Sequence, residues 1–494
     1  MAAMAQATFA QTPSYPTRQP LSVSRPGQLT PQQPVPLAPA PLSVSLSRDQ
    51  TDLLARVLAE APTHGFEAGS FSPDPALQLL AARDPVTRQA GQTQLIAATL
   101  AYAKAVRTGR LPTAGFLNDW GVRPIAYDPG PDFVQAVTED RLGPWLDSLP
   151  PPFTGYQTLR KGLAQYRAIS DNGGWGVLPA GPDLKLGSAN DPRIVLLEAR
   201  LAVEDTSIAV DGAPVFDAAL EQAVMRAQKR FGLNPTGVVS KQTLTALNTP
   251  VGLRIDQILA NMERWRWLPQ QLPADRIQVN IAAAVLSVFR GDAPTMTMRA
   301  VTGRPGHETP MLTSMIHSVV LNPPWNVPSS IASAELWPKE RANPGYLARN
   351  DFVIIPTGNG GSRLQQRAGP KAALGVVKFD FANPYGVYLH DTPSRSKFAS
   401  FSRLASHGCV RLEKPIPLAK ALLALDPRWT PEAVDAAIAT GKTQTVRLPQ
   451  QIAVLLLYWT AYVTPDGQVN FRDDPYGWDR ILVQRIAAAV SAPA

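Results

Sequence analysis

ASHGCVRLEK, residues 405–414, holds the only cysteine among 494 residues. Cys409 follows His407 and Gly408 and precedes Val410 and Arg411. A single cysteine forms no internal disulfide, and the five histidines are not spaced with it as zinc ligands, so no structural metal is implied. The thiol is either a small buried hydrophobe or a reagent. A nucleophilic thiol needs a base, because a free cysteine is only a few per cent ionised near neutrality. Acyl transfer also needs backbone N–H groups aimed at the developing oxyanion. Gly408 lets the backbone turn and lets a substrate carbonyl approach closely. On a strand, Arg411 projects from the same face as Cys409 and can hold a substrate carboxylate or a peptide carbonyl. Two histidines can act as the base: His407, two residues back, and His390, at the end of the run GVYLHD. Spacing alone does not choose between them.

Outward from this stretch the chain has strand character. RIQVNIAAAVLSVFR (276–290) and TMTMRAVTG (295–303) alternate apolar and polar residues, with a turn at Gly291-Asp292, and HSVVLNPP, GVVKFDF and GVYLHD continue the pattern. YWTAYVTPDGQVNFRDD (458–474) reads as two strand-like runs around Pro465-Asp466-Gly467, followed by a terminal helix. Upstream the period is helical: Leu53, Leu54, Val57 and Leu58 recur with it, as do Leu95, Thr99, Tyr102 and Val106. The loop DNGGWGVLPAGP (171–182) ends that region. In 216–248 an amphipathic helix, a Gly/Asn/Pro turn and a short helix opened by Ser240 form a further unit. Residues 1–45 carry nine prolines and no acidic residue, a composition that builds no core and reads as a disordered, partly polyproline tether.

Composition narrows the function classes. The net charge is +8, but Lys and Arg are scattered, without the runs or stripes of a nucleic-acid groove. The longest apolar stretch, Ile452–Val463, is too short to span a bilayer, so no transmembrane segment is expected. His307, His317 and His64 read as strand-edge, loop and helix-end side chains, and the pair Trp265 and Trp267 as core at a domain junction. Strand alternation points the Asp391 side chain away from His390.

The set His390, Ser406, His407, Gly408, Cys409, Val410 and Arg411 resembles the signature of the L,D-transpeptidase (YkuD-type) catalytic domain. NMERWRWLP (261–269), NPPWNVP (322–328), YLHDTP (388–393) and YWTAYVTPDGQVNFRDD resemble the large Gram-negative periplasmic subfamily, in the same order along the chain. Phe231, Gly232, Leu233, Gly237, Val238, Val239, Thr243 and Leu244 resemble the three-helix peptidoglycan-binding module, with departures at Ala227 and Thr236. The stretch between NPPWNVP and GPKAALG, which carries a lid in these relatives, is short here, and Ala372 stands where many of them have Asn.

The resemblance implies an α+β multidomain protein with five parts. These are the tether 1–45, a helical scaffold 46–191 and a small helical peptidoglycan-binding-like domain 192–250. A mainly β catalytic domain follows at 251–445, with a short lid at 329–371, and then a C-terminal segment 446–494 returns to the scaffold. It implies a periplasmic peptidoglycan cross-linking enzyme that needs no cofactor and acts on stem peptides and glycan. An L,D-carboxypeptidase and a non-catalytic wall-binding protein are the alternatives; oligomeric state is left open. By resemblance Cys409 is the nucleophile and His390 the general base. Gly408, Cys409 and His407 make the oxyanion hole and Arg411 orders the site. Tyr388, Trp325, Asn326 and Ser406 contact substrate.

Overall fold

The structure, a computed structural model, describes residues 44–358, 361–464 and 466–491; the tether lies outside them except for its last two residues. The alternating run 276–290 is a hairpin rather than one strand. Strand β1 (Asp275–Asn280) pairs antiparallel with β2 (Val285–Arg290), Ile277 opposite Val288. Between them Asn280 Oδ1 accepts the Ala283 N–H (3.3 Å) and Ala284 takes φ +49°, which turns the chain. Gly291 and Asp292 turn it again into β3 (Ala293–Gly303), as the sequence predicts. There follow β4 (Leu312–Leu321), β5 (Trp325–Asn326), β6 (Phe352–Pro356), β7 (Ser362–Gln366), β8 (Val377–Phe381) and β9 (Leu389–His390). The last of this domain are β10 (Leu404–Ser406), β11 (Val410–Leu412) and β12 (Gln444–Leu457).

Pairing runs β3–β2–β1–β12–β4–β8–β9–β11 and returns to β3, so eight strands close on themselves. Closure leaves no unpaired sheet edge in the ring. β10 continues along the edge of β3 that carries β2: the Ala300 N–H reaches the Ala284 carbonyl and the Thr302 N–H the Arg403 carbonyl. The interior is apolar, filled by residues such as Ile277, Leu286, Val319, Phe379, Leu389 and Val454. Truncating one of the Ile, Leu or Phe side chains to Ala would cost about 2–5 kcal/mol.

Helices surround this barrel. In the helix Pro85–Thr108, Leu95, Thr99, Tyr102 and Val106 are all buried, and Asp84 caps its start by accepting the N–H groups of Val86 and Thr87. That helix shares a core with Arg48–Ala59 and Pro129–Thr138. Helix Thr154–Asp171 and the helices Arg193–Ala202, Ala218–Arg230 and Lys241–Leu247, the last capped by Ser240, share a second core with a C-terminal hairpin, β13 (Ala461–Val463) and β14 (Val469–Phe471). The Phe471 ring lies 5.3 Å from that of Tyr166 and 6.5 Å from that of Phe231, which fastens the small helical unit to the end of the chain.

Helix Val251–Arg266 joins these cores to the barrel. Its buried Glu263 accepts from Arg266 (2.9 Å) and from the N–H groups of Arg110 (2.5 Å) and Leu111 (3.1 Å). Removing that carboxylate would strand a buried guanidinium, at about 3–5 kcal/mol. β5, β7 and β6 form a separate three-stranded sheet, and with the short helices Trp337–Ala342 and Tyr346–Arg349 they enclose a small core of Val327, Leu336, Leu347, Phe352 and Leu364. Among the described residues no helix is long and apolar enough to cross a membrane.

Candidate active site

Strand register assembles the site. β9 runs parallel to β11 with Leu389 opposite Val410 and His390 opposite Arg411, and antiparallel to β8 with Lys378 opposite His390. Leu389, Val410, Leu412 and Phe379 fill the barrel. With period two, Tyr388, His390, Cys409, Arg411 and Lys378 therefore share the outer face.

The turn before Cys409 depends on Gly408, at φ +110°, a conformation that side chains rarely adopt. A Cβ there would sit 3.2 Å from the Glu308 carbonyl oxygen. Ser406 spans the turn: its buried hydroxyl donates to the Cys409 carbonyl (2.5 Å) and accepts the Gly408 N–H (3.2 Å). Thr309 supports the loop from behind, its hydroxyl donating to the Gly408 carbonyl (2.7 Å) and accepting the Gly303 N–H (2.8 Å). Tyr476 closes this network by donating to the Gly303 carbonyl (2.6 Å) and accepting the Thr309 N–H (3.3 Å). Ser406, expected to contact substrate, is thus engaged within the loop. The Gly408 N–H, expected in the oxyanion hole, is engaged with it. Among the described residues the N–H groups of His407 and Cys409 make no hydrogen bond, which leaves them as the loop's available donors.

His390 is 4% exposed. Its Nδ1 lies 2.5 Å from the Asp391 carbonyl oxygen, which can only accept, so Nδ1 carries the proton and Nε2 keeps its lone pair. Burial first, then the charge of Arg411, lowers its pKa from 6.5 to about 3, and the ring is neutral at physiological pH. The Asp391 carboxylate points elsewhere, as alternation predicts: it accepts the Val376 N–H (2.9 Å) and pairs with Arg395 (3.0 Å). Asp391 holds the imidazole through its backbone instead.

Cys409 is half-buried. Burial pushes its thiol up, and this outweighs the Tyr388 amide and hydroxyl, Lys378 and Arg411, all of which favour thiolate. The resting pair is a thiol and a neutral imidazole rather than an ion pair. No hydrogen bond joins Sγ to His390 among the described residues; the sulfur neighbours the Tyr388 hydroxyl, which also meets the Trp325 indole N–H. Catalytic contacts in an unliganded site are commonly long and tighten only with substrate. Arg411 forms no ion pair among the described residues, and its buried Nε has no partner. Such a cation beside the sulfur suits a carboxylate or carbonyl ligand.

His407 faces the segment 329–371, which the resemblance reads as a lid. Its Nε2 is 2.6 Å from Glu335 Oε1 and 3.1 Å from Arg304 Nη2, and its ring meets His307 edge-on at 4.9 Å. Burial works to raise the pKa of Glu335, but the His407 hydrogen bond and the charges of His407, Lys339 and Arg304 prevail and hold it below the usual carboxylate range. Trp325 lines the site through Tyr388, whereas the Asn326 amide oxygen is bound within the lid sheet by Gln365 (2.7 Å) and Arg363 (3.2 Å). Glu335, Thr309 and Tyr476 lie in no catalytic motif of the sequence; Tyr476 falls just past the C-terminal run 458–474.

Comparison with known proteins gives three matches along the chain. Residues 274–443 match the family described as "L,D-transpeptidase catalytic domain" (YkuD), 44–163 the "Scaffold domain", and 190–247 the "Putative peptidoglycan binding domain". A "Putative L,D-transpeptidase" of Haemophilus influenzae is 34% identical over 245 residues, 46% of this chain and 49% of that protein. The chain thus spans about half the length of the curated relative it matches. The solved L,D-transpeptidase (Yku) of Stackebrandtia nassauensis is 15% identical, covering 56% of this chain and 97% of its own, with a TM-score of 0.23. L,D-transpeptidase 3 of Mycobacterium tuberculosis, solved with a faropenem-derived adduct, is 16% identical, covering 37% and 60%, with a TM-score of 0.20. At such scores the solved structures add no weight of their own.

Proposed function

We propose that the chain is a peptidoglycan L,D-transpeptidase that joins stem peptides through a cysteinyl thioester, a reading supported by the match of residues 274–443 to the L,D-transpeptidase catalytic domain. The observation that carries this reading is the common outer face of Tyr388, His390, Cys409 and Arg411, fixed by the β9–β11 register. Cys409 Sγ attacks the carbonyl on the L-centre side of an L–D peptide bond while His390 Nε2 takes the thiol proton. The oxyanion forms against the N–H groups of Cys409 and His407. As the tetrahedral intermediate collapses, the C–N bond breaks, His390 returns the proton to the departing amine, and a thioester remains. A side-chain amine of a neighbouring stem attacks that thioester, His390 takes its proton, and the thiol is regenerated with a new amide formed. Arg411 holds a carboxylate of the donor stem, and Tyr388 and Trp325 wall the acyl group.

Cys409, half-buried beside Tyr388, and the 329–371 segment that Glu335 ties to His407 support an amine acceptor over water, which is the difference from an L,D-carboxypeptidase. A peptidoglycan substrate supports a periplasmic location and a role in cell-wall biogenesis and cell shape. A β-lactam carbonyl mimics the acyl donor, so a carbapenem should acylate Cys409. Incubation with purified stem peptides and intact sacculi, followed by mass analysis, tests the reading. Cross-linked dimers are expected. Trimmed monomers alone would make it a carboxypeptidase, and unaltered material with protein retained on the wall would make it a binding protein.

A further inference from the structure

A cleft of about 1070 Å³ lies apart from the thiol, between helix Thr154–Asp171, the Phe231-Gly232 step, the β13–β14 hairpin and the outer wall of the barrel. Its floor is one face of the β1–β2 hairpin, where Arg276, Gln278 and Asn280 stand opposite Phe289, Ser287 and Val285.

Three features define what fits there. The first is charge. Lys161, Arg276, Arg403 and Arg472 line the cleft with two carboxylates, Asp292 and Asp473, and none of the three arginines forms an ion pair among the described residues. They donate to backbone carbonyls of Gly291 (2.9 Å), Ala283 (2.9 Å) and Arg230 (3.2 Å), and the Nε atoms of Arg276 and Arg403 are buried without partners. Burial lowers the pKa of all three. Asp292 and Asp473 favour the charged forms of Arg276 and Arg472 from beyond ion-pair distance but leave the cleft with an excess of cations, whose desolvation an anionic ligand offsets. The second is Gln278, 8% exposed, whose side-chain amide makes no hydrogen bond among the described residues although it borders the cleft. A side-chain amide without a protein partner at a cleft wall suits a ligand that both donates and accepts. The third is a line of half-buried rings, Phe153 against Trp265 (5.3 Å) and Trp265 against Trp459 (4.5 Å), flat apolar surface beside the polar groups. Arg403 and Leu404 then lead into β10 and the nucleophile loop, so Leu404 and Cys409 are at most about 18 Å apart.

We propose that this cleft is a second peptidoglycan site, which binds a carboxylate-bearing saccharide–peptide segment of the wall strand while the thiol works on a stem. The proposal rests on the function proposed above. It is tested on the full chain carrying Cys409→Ala, so that binding is read without turnover. Titration with a soluble disaccharide–tetrapeptide and co-sedimentation with sacculi measure affinity. Ser287→Glu sets a carboxylate on the floor from a half-buried strand position. Arg403→Gln removes one cation, and melting curves verify that each variant folds. Either change should weaken binding about tenfold or more. Neutral N-acetylglucosamine oligomers should bind at least tenfold more weakly than the disaccharide–tetrapeptide. Parental affinity in a folded Ser287→Glu protein overturns the proposal, as does equal affinity for the neutral oligomers. A wild-type chain that makes no Cys409 adduct and no dimers refutes the function instead, because the binding measurement does not depend on the thiol.

Discussion

The protonation states of Cys409 and His390 predict an unusual pH profile. The imidazole is neutral above about pH 3, and burial holds the thiol above its ordinary value, so one state, thiol beside neutral base, prevails across the range between. If His390 removes the proton during attack, the rate of acylation by a carbapenem should be nearly flat from about pH 5 to 8. In His390→Gln only the thiolate route survives. A thiol at or above its ordinary pKa is at most a few per cent ionised at pH 7, and the rate should then climb about tenfold per pH unit. At pH 7 the loss should be roughly 100-fold or more, the range of general-base catalysis, narrowing as pH approaches 9. His407→Ala should keep the flat profile, with a loss of about 10²–10³-fold or less from a disturbed oxyanion loop. Intact-mass measurement of adduct against time at each pH supplies the rates. A flat profile in His390→Gln, or the tenfold slope in His407→Ala, refutes the assignment of the base.

Three further outcomes are expected. His64 and His390 are both buried neutral with pKa values lowered from 6.5 to about 3, in each case chiefly by burial. The unfolded chain therefore binds their protons first: their contribution is complete above pH 6.5 and is lost as pH falls toward 3, amounting to roughly 2 kcal/mol each at pH 5. Urea unfolding at pH 7 and pH 5 should show that fall, and His64→Gln should shrink it; identical behaviour of variant and parent would sink the idea. Gly408→Ala forces a side chain into φ +110°, a strain of about 1–3 kcal/mol at the nucleophile loop, and should slow acylation about tenfold or more; a parental rate would show that the turn is not needed. Glu335→Gln weakens the lid contact to His407. Because the Glu335 pKa is lowered, that contact is complete above the normal carboxylate pKa and is lost as pH falls below it, so the variant should mimic acid. Faster proteolysis within 329–349 and a larger share of trimmed monomers are expected, and no change in either would refute the latch.

What the sequence made legible was local. Cys409, Gly408 and Arg411 are contiguous, and period two is enough to put sulfur and guanidinium on one face. His390 joins them only through the β9–β11 pairing, which the resemblance supplied and spacing did not. The hairpin within 276–290 was hidden because Ala282, Ala283 and Ala284 carry no turn signature; an Asn280 side chain makes the turn instead. Ser406 has a conspicuous place in the motif, yet a sequence does not say whether a hydroxyl faces substrate or its own loop. Glu335, Thr309 and Tyr476 reach the site from remote segments, so no spacing could reveal them. Trp267 is buried core, as expected at a junction, whereas Trp265 is half-buried and borders a cleft; Trp265 lies in the last turn of helix Val251–Arg266 and Trp267 just past its end.

The position of β12 bears on the order in which the protein becomes itself. This strand lies between β4 and β1, with Val454 beside Ile277, although it is made after every other strand of the barrel and after Cys409. Until residues 444–457 have emerged, β1 and β4 each present a bare edge, and the hydrogen bond from Tyr476 that steadies Gly303 behind the nucleophile does not exist. A nascent or truncated chain thus carries the thiol without the geometry that would make it useful, together with two sheet edges open to pairing with another chain. Catalytic competence is a property of the finished chain, and an interrupted one is more prone to aggregate than to acylate.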